Sequence, residues 1–260
     1  MSIKASWMVV WLVLGWSLAA LPFNGPRDPR DIAKRTFPSV VLLSMSDASG
    51  QVVSLGSGFF VLPDVVATSL HVIEGMTQGY AKRVGDETYY PVAGTVAVDE
   101  QHDLVLVKIA GARSTPLQLG DPEVLTVGDR VFAVGSPRGY EGTFSEGIVS
   151  GIRPSGVTRL LQITSPIARG SSGGPVVNAR GDVVGVATAL VEGEQNINFA
   201  LPISYLHPLL RRVQPVMALG SISPGIQSAG TDGSIASPSV VRASEAILTS
   251  EHPLVLSYQP

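Results

Sequence analysis

Residues 170–177, Gly-Ser-Ser-Gly-Gly-Pro-Val-Val, decide the fold of this 260-residue chain. A serine hydroxyl stands among glycines, whose backbone adopts conformations that other residues avoid. Pro175 and the β-branched Val176 and Val177 follow at once, and this order predicts that the turn leads into a strand rather than a helix. The stretch therefore favours an all-β chain.

Short β-rich runs fill the chain around this turn, between Ser39 and Leu206. Turn signals such as Ser-Gly, Pro-Asp and Gly-Asp separate them, without the long helical pattern that a parallel sheet requires between its strands. This spacing predicts antiparallel barrels or a sandwich, closed by a short helix within residues 203–213. The clearest predicted strands are Val40–Met45, Gly58–Leu62, Val66–Ser69, Leu104–Ile109, Arg130–Val134 and Val183–Thr188.

Composition excludes several classes of function. The chain is 45% hydrophobic and 15% charged, with a net charge of −3. It has no cluster of Lys or Arg, so no nucleic-acid partner is predicted. It contains no cysteine, which excludes disulfides, a thiol nucleophile and Cys-ligated zinc sites.

The N-terminal residues 1–22 have the pattern of an export signal. Lys4 precedes an apolar run from Trp7 to Leu21, which ends among small residues. This pattern predicts a cleaved signal peptide, with an uncleaved membrane anchor or a buried helix as alternatives. Residues 23–35 are predicted to be a linker and residues 214–260 a low-complexity tail. The folded part is predicted to lie outside the cytoplasm.

Three residues suggest nucleophilic catalysis. Ser172 lies among glycines, where backbone N–H groups can stabilise an oxyanion. His71 follows a predicted strand, and Asp103 precedes the apolar strand at 104–109. A serine nucleophile needs a histidine base, which a carboxylate orients. Each residue alone has an ordinary structural explanation, but the order His, Asp, Ser is that of chymotrypsin-type proteases.

The surrounding motifs resemble the HtrA/Deg group of trypsin-like serine proteases. The resemblance extends over about 150 residues. Two departures are Ser171, where the family often has Asn, and a tail too short for a PDZ domain. The similar segments are Gly56–Val61, Ala67–Val72, Asp103–Ile109, Val134–Pro137, Gly147–Gly151, Gln162–Pro175 and Asn198–Ile203.

This resemblance implies two packed antiparallel barrels, at about 36–112 and 116–205, within a protease domain at 36–213. It also implies a triad of His71, Asp103 and Ser172, and an oxyanion hole made by the amides of Gly170 and Ser172. The implied substrates are exposed or misfolded proteins of the periplasm or secreted space, cleaved without a metal or cofactor. A homotrimer is implied as well, as is anchoring to the inner membrane if the N-terminal segment is retained.

By the same resemblance, Ile167 and Leu190 line the pocket for the residue before the scissile bond. Both are aliphatic, which favours a small or medium apolar residue there, although both residues could simply pack the second barrel. Two other functions stay open. One is a catalytically silent chaperone or scaffold of the same fold, and the other is an α/β-hydrolase-type esterase, whose nucleophile motif Gly-x-Ser-x-Gly also fits residues 170–174.

Overall fold

The structure is a computed structural model, and it describes residues 25–155, 158–190 and 196–221. The predicted export segment and most of the predicted tail, including the region where a PDZ domain would follow, lie outside these residues. The helices are Pro29–Thr36 (α1), Leu70–Ile73 (α2) and Leu206–Leu210 (α3). The first six strands are Val40–Ser46 (β1), Val52–Leu62 (β2), Val65–Ser69 (β3), Gln78–Arg83 (β4), Tyr89–Asp99 (β5) and Leu104–Ile109 (β6). The other six are Arg130–Gly135 (β7), Thr143–Ser155 (β8), Thr158–Ile163 (β9), Pro175–Asn178 (β10), Val183–Leu190 (β11) and Asn198–Pro202 (β12).

The strands close into two antiparallel barrels, as predicted. The first has the order β1-β2-β3-β6-β5-β4 and the second β10-β11-β12-β9-β8-β7. This architecture excludes the α/β-hydrolase alternative, which needs a parallel sheet with a helix after the nucleophile. The turn at 170–174 leads into strand β10 at Pro175, as its proline and valines predicted.

Strand alternation explains why several strands are apolar on both faces. In β2, Phe60 points into the core of the first barrel, whereas Phe59 and Val61 belong to a separate apolar cluster. That cluster also contains Phe132 and Val134 of β7 in the second barrel. Successive side chains of a strand point to opposite faces, so one face fills its own barrel and the other packs against the neighbouring barrel.

The N-terminal boundary differs from the prediction. Most of the expected linker at 23–35 forms helix α1, whose first turn is capped by the Asp28 side chain accepting from the N–H of Arg30 at 2.7 Å. Ile32 is fully buried in the cluster between the barrels. The polar composition concealed this helix, because it buries only a narrow face.

The C-terminal boundary also differs. The closing helix is present, but its α-helical part is only Leu206–Leu210, after a 3₁₀ turn at Ile203–Tyr205. The expected tail begins as part of the fold, because Met217 pairs with Thr95 of β5 and Leu219 is buried against the first barrel. The chain therefore returns from the second barrel to the first before residue 221.

Candidate active site

Helix α2 and the start of β6 bring His71 and Asp103 together. The Asp103 carboxylate accepts from the main-chain N–H of His71 at 2.8 Å, and its other oxygen lies 2.6 Å from Nδ1 of the imidazole. Asp103 is buried and its backbone is left-handed, with φ 53°. The contact to the main chain holds the carboxylate beside His71, and the contact to Nδ1 fixes the orientation of the ring. Nε2 is then the ring nitrogen that Asp103 does not contact.

This pairing changes the proton affinity of His71. Burial lowers the pKa of the imidazole, but the hydrogen bond to Asp103 and the charges of Asp103 and Glu74 raise it more. The net result is a pKa above the ordinary value of 6.5. Compared with a free histidine, the site therefore stabilises the imidazolium, the form that appears after a histidine has accepted a proton from a nucleophile.

The glycine-rich turn holds Ser172 by a complete set of carbonyl contacts. The carbonyls of residues 168–172 all accept hydrogen bonds. Within the turn, the Ala168 carbonyl accepts from Ser171 N and the Ser171 carbonyl from Gly174 N. From outside it, Arg138 N donates to the Arg169 carbonyl, Ser57 Oγ to the Gly170 carbonyl and Ser57 N to the Ser172 carbonyl. The amides of residues 171, 173 and 174 donate to carbonyls as well. The N–H groups of Gly170 and Ser172 in this turn have no acceptor among the described residues.

These two amides are those predicted for an oxyanion hole. Buried backbone N–H groups are almost always paired. Gly170 is buried and Ser172 is half-buried, so two free donors beside one hydroxyl are available to an external acceptor. Gly170 has φ +94°, and a Cβ there would meet backbone atoms at 3.0 Å. Only glycine therefore fits this position without strain.

The turn also approaches the strand that leads to His71. A Cβ on Gly173 would lie 2.2 Å from Thr68 Oγ1 and 2.8 Å from the Ser69 nitrogen, so glycine permits close contact with the end of β3. No hydrogen bond joins the side chains of Ser172 and His71 among the described residues. The structure thus directly pairs two of the three predicted triad residues and places the third on the adjoining turn.

His102 forms a separate pair and is not the partner of Ser172. Its Nδ1 lies 2.7 Å from Asp99 Oδ2, and its ring stacks on Tyr205 with the centroids 4.2 Å apart. This contact joins the turn before Asp103 to the C-terminal part of the fold. His102 therefore has a structural explanation that His71 lacks.

The two predicted specificity residues remain an untested prediction. Ile167 is partly buried and packs against the core of the second barrel, which is the arrangement expected under the packing alternative as well. Leu190 ends strand β11, and its backbone pairs with Asn198. Its side chain lies outside the described residues, as does the segment 191–195 that follows.

Ser171 occupies the position of the family's usual asparagine. Its Oγ accepts from the N–H of Ala168 at 3.2 Å, and its own N–H donates to the Ala168 carbonyl at 2.8 Å. The small polar side chain thus fits within the turn.

Sequence reasoning missed a set of backbone supports around the turn. Ser57 and Ser136 appeared only within motifs of the resemblance, yet their contacts link β2, β7 and the turn at Ser172. These links join residues 79 or more positions apart in the chain, so no local pattern could have revealed them.

In the described ranges, no group of acidic or histidine side chains is arranged to hold a metal ion. No described helix is long and apolar enough to cross a membrane.

The barrels and the His71–Asp103 pair define a serine-protease fold, and comparisons with known proteins agree. Residues 56–186 match the model of the trypsin-like peptidase domain. The chain is 35% identical over 190 residues to anti-sigma-I factor RsgI9 of Acetivibrio thermocellus, covering 72% of this chain and 26% of that protein. It is 32% identical over 182 residues to a probable periplasmic serine endoprotease DegP-like of Pseudomonas putida, covering 67% and 38% respectively.

Solved structures give the same result. The HtrA-type protease AlgW with tripeptide matches with a TM-score of 0.64 at 25% identity, over 71% of this chain and 63% of that chain. The serine endoprotease from Yersinia pestis matches with a TM-score of 0.62 at 25% identity, over 72% and 66%. The chain therefore belongs to the trypsin-like peptidase family, in its HtrA/Deg group. It spans less than half the length of the two curated relatives named above.

Proposed function

We propose that this protein is an HtrA/Deg-type serine endopeptidase that cleaves polypeptides through an acyl-enzyme. Ser172 is the nucleophile, His71 the general base and Asp103 the residue that orients it. The observation that carries the proposal is the double contact of Asp103 with the main chain and Nδ1 of His71. His102 makes the same double contact with Asp99, but His71 also follows the end of β3, which the turn of Ser172 approaches closely.

The first step forms the acyl-enzyme. Ser172 Oγ attacks the peptide carbonyl while Nε2 of His71 takes the hydroxyl proton, and a bond forms between Oγ and carbon. The imidazolium then gives this proton to the leaving amine as the C–N bond breaks. The lack of a hydrogen bond between the side chains of Ser172 and His71 is compatible with this role, because catalytic hydrogen bonds are often long before substrate binds.

Water completes the cycle. His71 takes a proton from water, the resulting hydroxide attacks the acyl carbon, and Ser172 leaves with its proton restored. Both tetrahedral intermediates carry an oxyanion, which the free amides of Gly170 and Ser172 are suited to bind. Each such donor contributes about 10²–10³ in rate. No metal or cofactor takes part in these steps.

The substrates we propose are exposed or misfolded proteins of the periplasm or secreted space. The P. putida relative is called a periplasmic endoprotease, which supports the location. By family resemblance, we also propose a preference for small or medium aliphatic residues before the scissile bond. The same resemblance suggests a homotrimer and an N-terminal membrane anchor. Cleavage-site mapping, light scattering and N-terminal sequencing test these points.

The test of the central activity is hydrolysis of unfolded, fluorescein-labelled casein by the full chain. Wild type should release peptides, and Ser172→Ala should release none while its thermal unfolding stays unchanged. A silent chaperone of the same fold remains the second candidate. It predicts that neither protein cleaves casein and that both suppress its aggregation equally.

A further inference from the structure

Ser57 is a fully buried hydroxyl that lies outside the triad. It stands in β2 of the first barrel, whereas the turn that carries Ser172 belongs to the second. Its Oγ lies 2.6 Å from the carbonyl oxygen of Gly170 and 2.8 Å from the nitrogen of Ser136. One side chain therefore contacts two separate segments of the neighbouring barrel.

The direction of these hydrogen bonds is determined by the groups involved. The backbone N–H of Ser136 can only donate, so Ser57 Oγ accepts from it. The single hydroxyl hydrogen of Ser57 then donates to the Gly170 carbonyl. The main-chain N–H of Ser57 also donates to the Ser172 carbonyl at 2.8 Å. Ser57 thus holds the carbonyls of both residues whose amides are free.

These contacts constrain the peptides next to the two that carry the free amides. In a trans peptide, the carbonyl of one residue and the N–H of the next point in opposite directions. Ser57 directs the Gly170 carbonyl and thereby the N–H of Ser171, which donates to the Ala168 carbonyl. The Ser172 N–H shares its peptide with the Ser171 carbonyl, which accepts from the N–H of Gly174 at 3.0 Å. Ser57 holds the Gly170 and Ser172 carbonyls, and it therefore fixes the two peptides that flank this one.

A second support acts on the remaining peptide. The N–H of Arg138 donates to the Arg169 carbonyl at 2.8 Å, which turns the Gly170 N–H to the opposite side. Arg138 has a left-handed backbone with φ 52°. It lies two residues after Ser136, whose N–H donates to Ser57. The hydroxyl of Ser57 therefore anchors the segment that sets the first amide as well.

We propose that Ser57 is a positioning residue that holds the amides of Gly170 and Ser172 in the geometry of an oxyanion hole. It touches neither substrate nor the reacting atoms. It acts through the carbonyls of the turn and through the 136–138 segment. This role rests on the proposed protease function, and it assigns a purpose to a buried side chain that the triad does not use.

The test compares Ser57→Ala with Ser39→Ala in the full chain. Ser39 is also a buried serine, 3% exposed, whose Oγ donates to the Thr115 carbonyl at 2.6 Å away from the turn. Both variants lose one buried hydroxyl. Ser57→Ala should lower kcat for a fluorogenic peptide by about 10²-fold, similar to the loss of one oxyanion donor, with KM within about twofold because substrate binding uses other groups. Ser39→Ala should keep the wild-type kcat.

A peptide boronate, which forms a tetrahedral adduct with an active serine, gives a second measurement. Its inhibition constant should rise by the same factor as kcat falls in Ser57→Ala. Ser57→Cys keeps an atom at the γ position but weakens both hydrogen bonds. It should give intermediate values, and it replaces Ser57→Ala if that variant does not fold. Unchanged kcat and boronate affinity in either folded variant would overturn the proposal.

Hydrogen–deuterium exchange over residues 168–174 separates this inference from the proposed function. Exchange should be faster in Ser57→Ala than in wild type and unchanged in Ser39→Ala. If wild type neither cleaves peptide nor binds boronate, the protease function fails, and positioning by Ser57 is then judged by exchange alone. Equal exchange in all three proteins contradicts the positioning role whatever the activity.

Discussion

The contact between Asp103 and His71 determines the acid–base behaviour of the site. Because Asp103 raises the pKa of His71 above 6.5, the neutral form needed for catalysis becomes dominant only above that pH. We expect kcat/KM to rise with pH through a midpoint above 6.5 and then to level off. A pH profile with a fluorogenic peptide measures this midpoint, and a midpoint below 6.5 would contradict the assignment of His71.

Asp103→Asn tests the same pair by changing the carboxylate instead of the pH. The amide removes the negative charge that raises the pKa of His71 and stabilises the wrong imidazole tautomer, so kcat should fall by about 10⁴-fold. The remaining activity should have its midpoint at lower pH than wild type. Asp99→Asn is the matched control, because Asp99 makes the corresponding contact with His102. It should leave the midpoint of wild type unchanged.

The three residues proposed as the triad stand out in the sequence because each lies beside a recognisable strand or turn. The His–Asp–Ser order supplied the connection that no single residue gave. The contacts of Ser57 and Arg138 were not predictable in the same way. Their contacts join distant segments through a carbonyl and a main-chain N–H, and such contacts leave no trace in residue spacing.

At the scale of elements, the glycine turn depends on close approach to the end of β3. Gly173→Ala should destabilise the protein strongly, because the new Cβ would lie 2.2 Å from Thr68 Oγ1 and 2.3 Å from the Ser57 carbonyl oxygen. Gly50→Ala is the matched control. Gly50 has nearly the same φ, +82° against +83°, with nothing within 4 Å of the added Cβ.

The control isolates the cost of a left-handed backbone, about 1–2 kcal/mol. Chemical denaturation should give this value for Gly50→Ala and a clearly larger loss for Gly173→Ala, together with loss of peptide hydrolysis. Equal losses would mean that the turn can move away from β3, and the tight contact would then have no energetic importance.

The strands of both barrels were largely predictable, since runs of β-branched residues separated by turn signals mark them locally. Helix α1 was missed although its start carries two recognised signals, Asp28 at the N-cap and Pro29 at the first helical position. Its sequence, PRDIAKRT, is polar except for Pro29, Ile32 and Ala33. Tertiary packing of Ile32 between the barrels therefore decided a structure that composition alone did not suggest.

For the whole molecule, the C-terminal segment connects the end of the second barrel to the first. Gln214 donates its N–H to the Val96 carbonyl at 2.8 Å, and Met217 exchanges two backbone hydrogen bonds of 2.8 Å with Thr95. A protein truncated after Val213 loses these bonds and the burial of Leu219, whereas one truncated after Ser221 keeps both. No sequence pattern indicates this return, because a single bridge has no periodicity.

We expect the chain that ends at Val213 to unfold several degrees below the one that ends at Ser221, since each lost kcal/mol shifts Tm by about 2–4 °C in a domain of this size. Differential scanning calorimetry of the two proteins measures the difference. Coincident transitions would show that residues 214–221 add no stability to the first barrel.

Reaction with a fluorophosphonate probe tests whether Ser172 is an activated nucleophile. The full-length wild type should be labelled, with the phosphonyl group located on Ser172 by mass spectrometry of its tryptic peptides. His71→Ala should label far more slowly because no base remains to take the hydroxyl proton, and Ser172→Ala should not label. A folded wild type that stays unlabelled, or a label on another residue, would contradict the account.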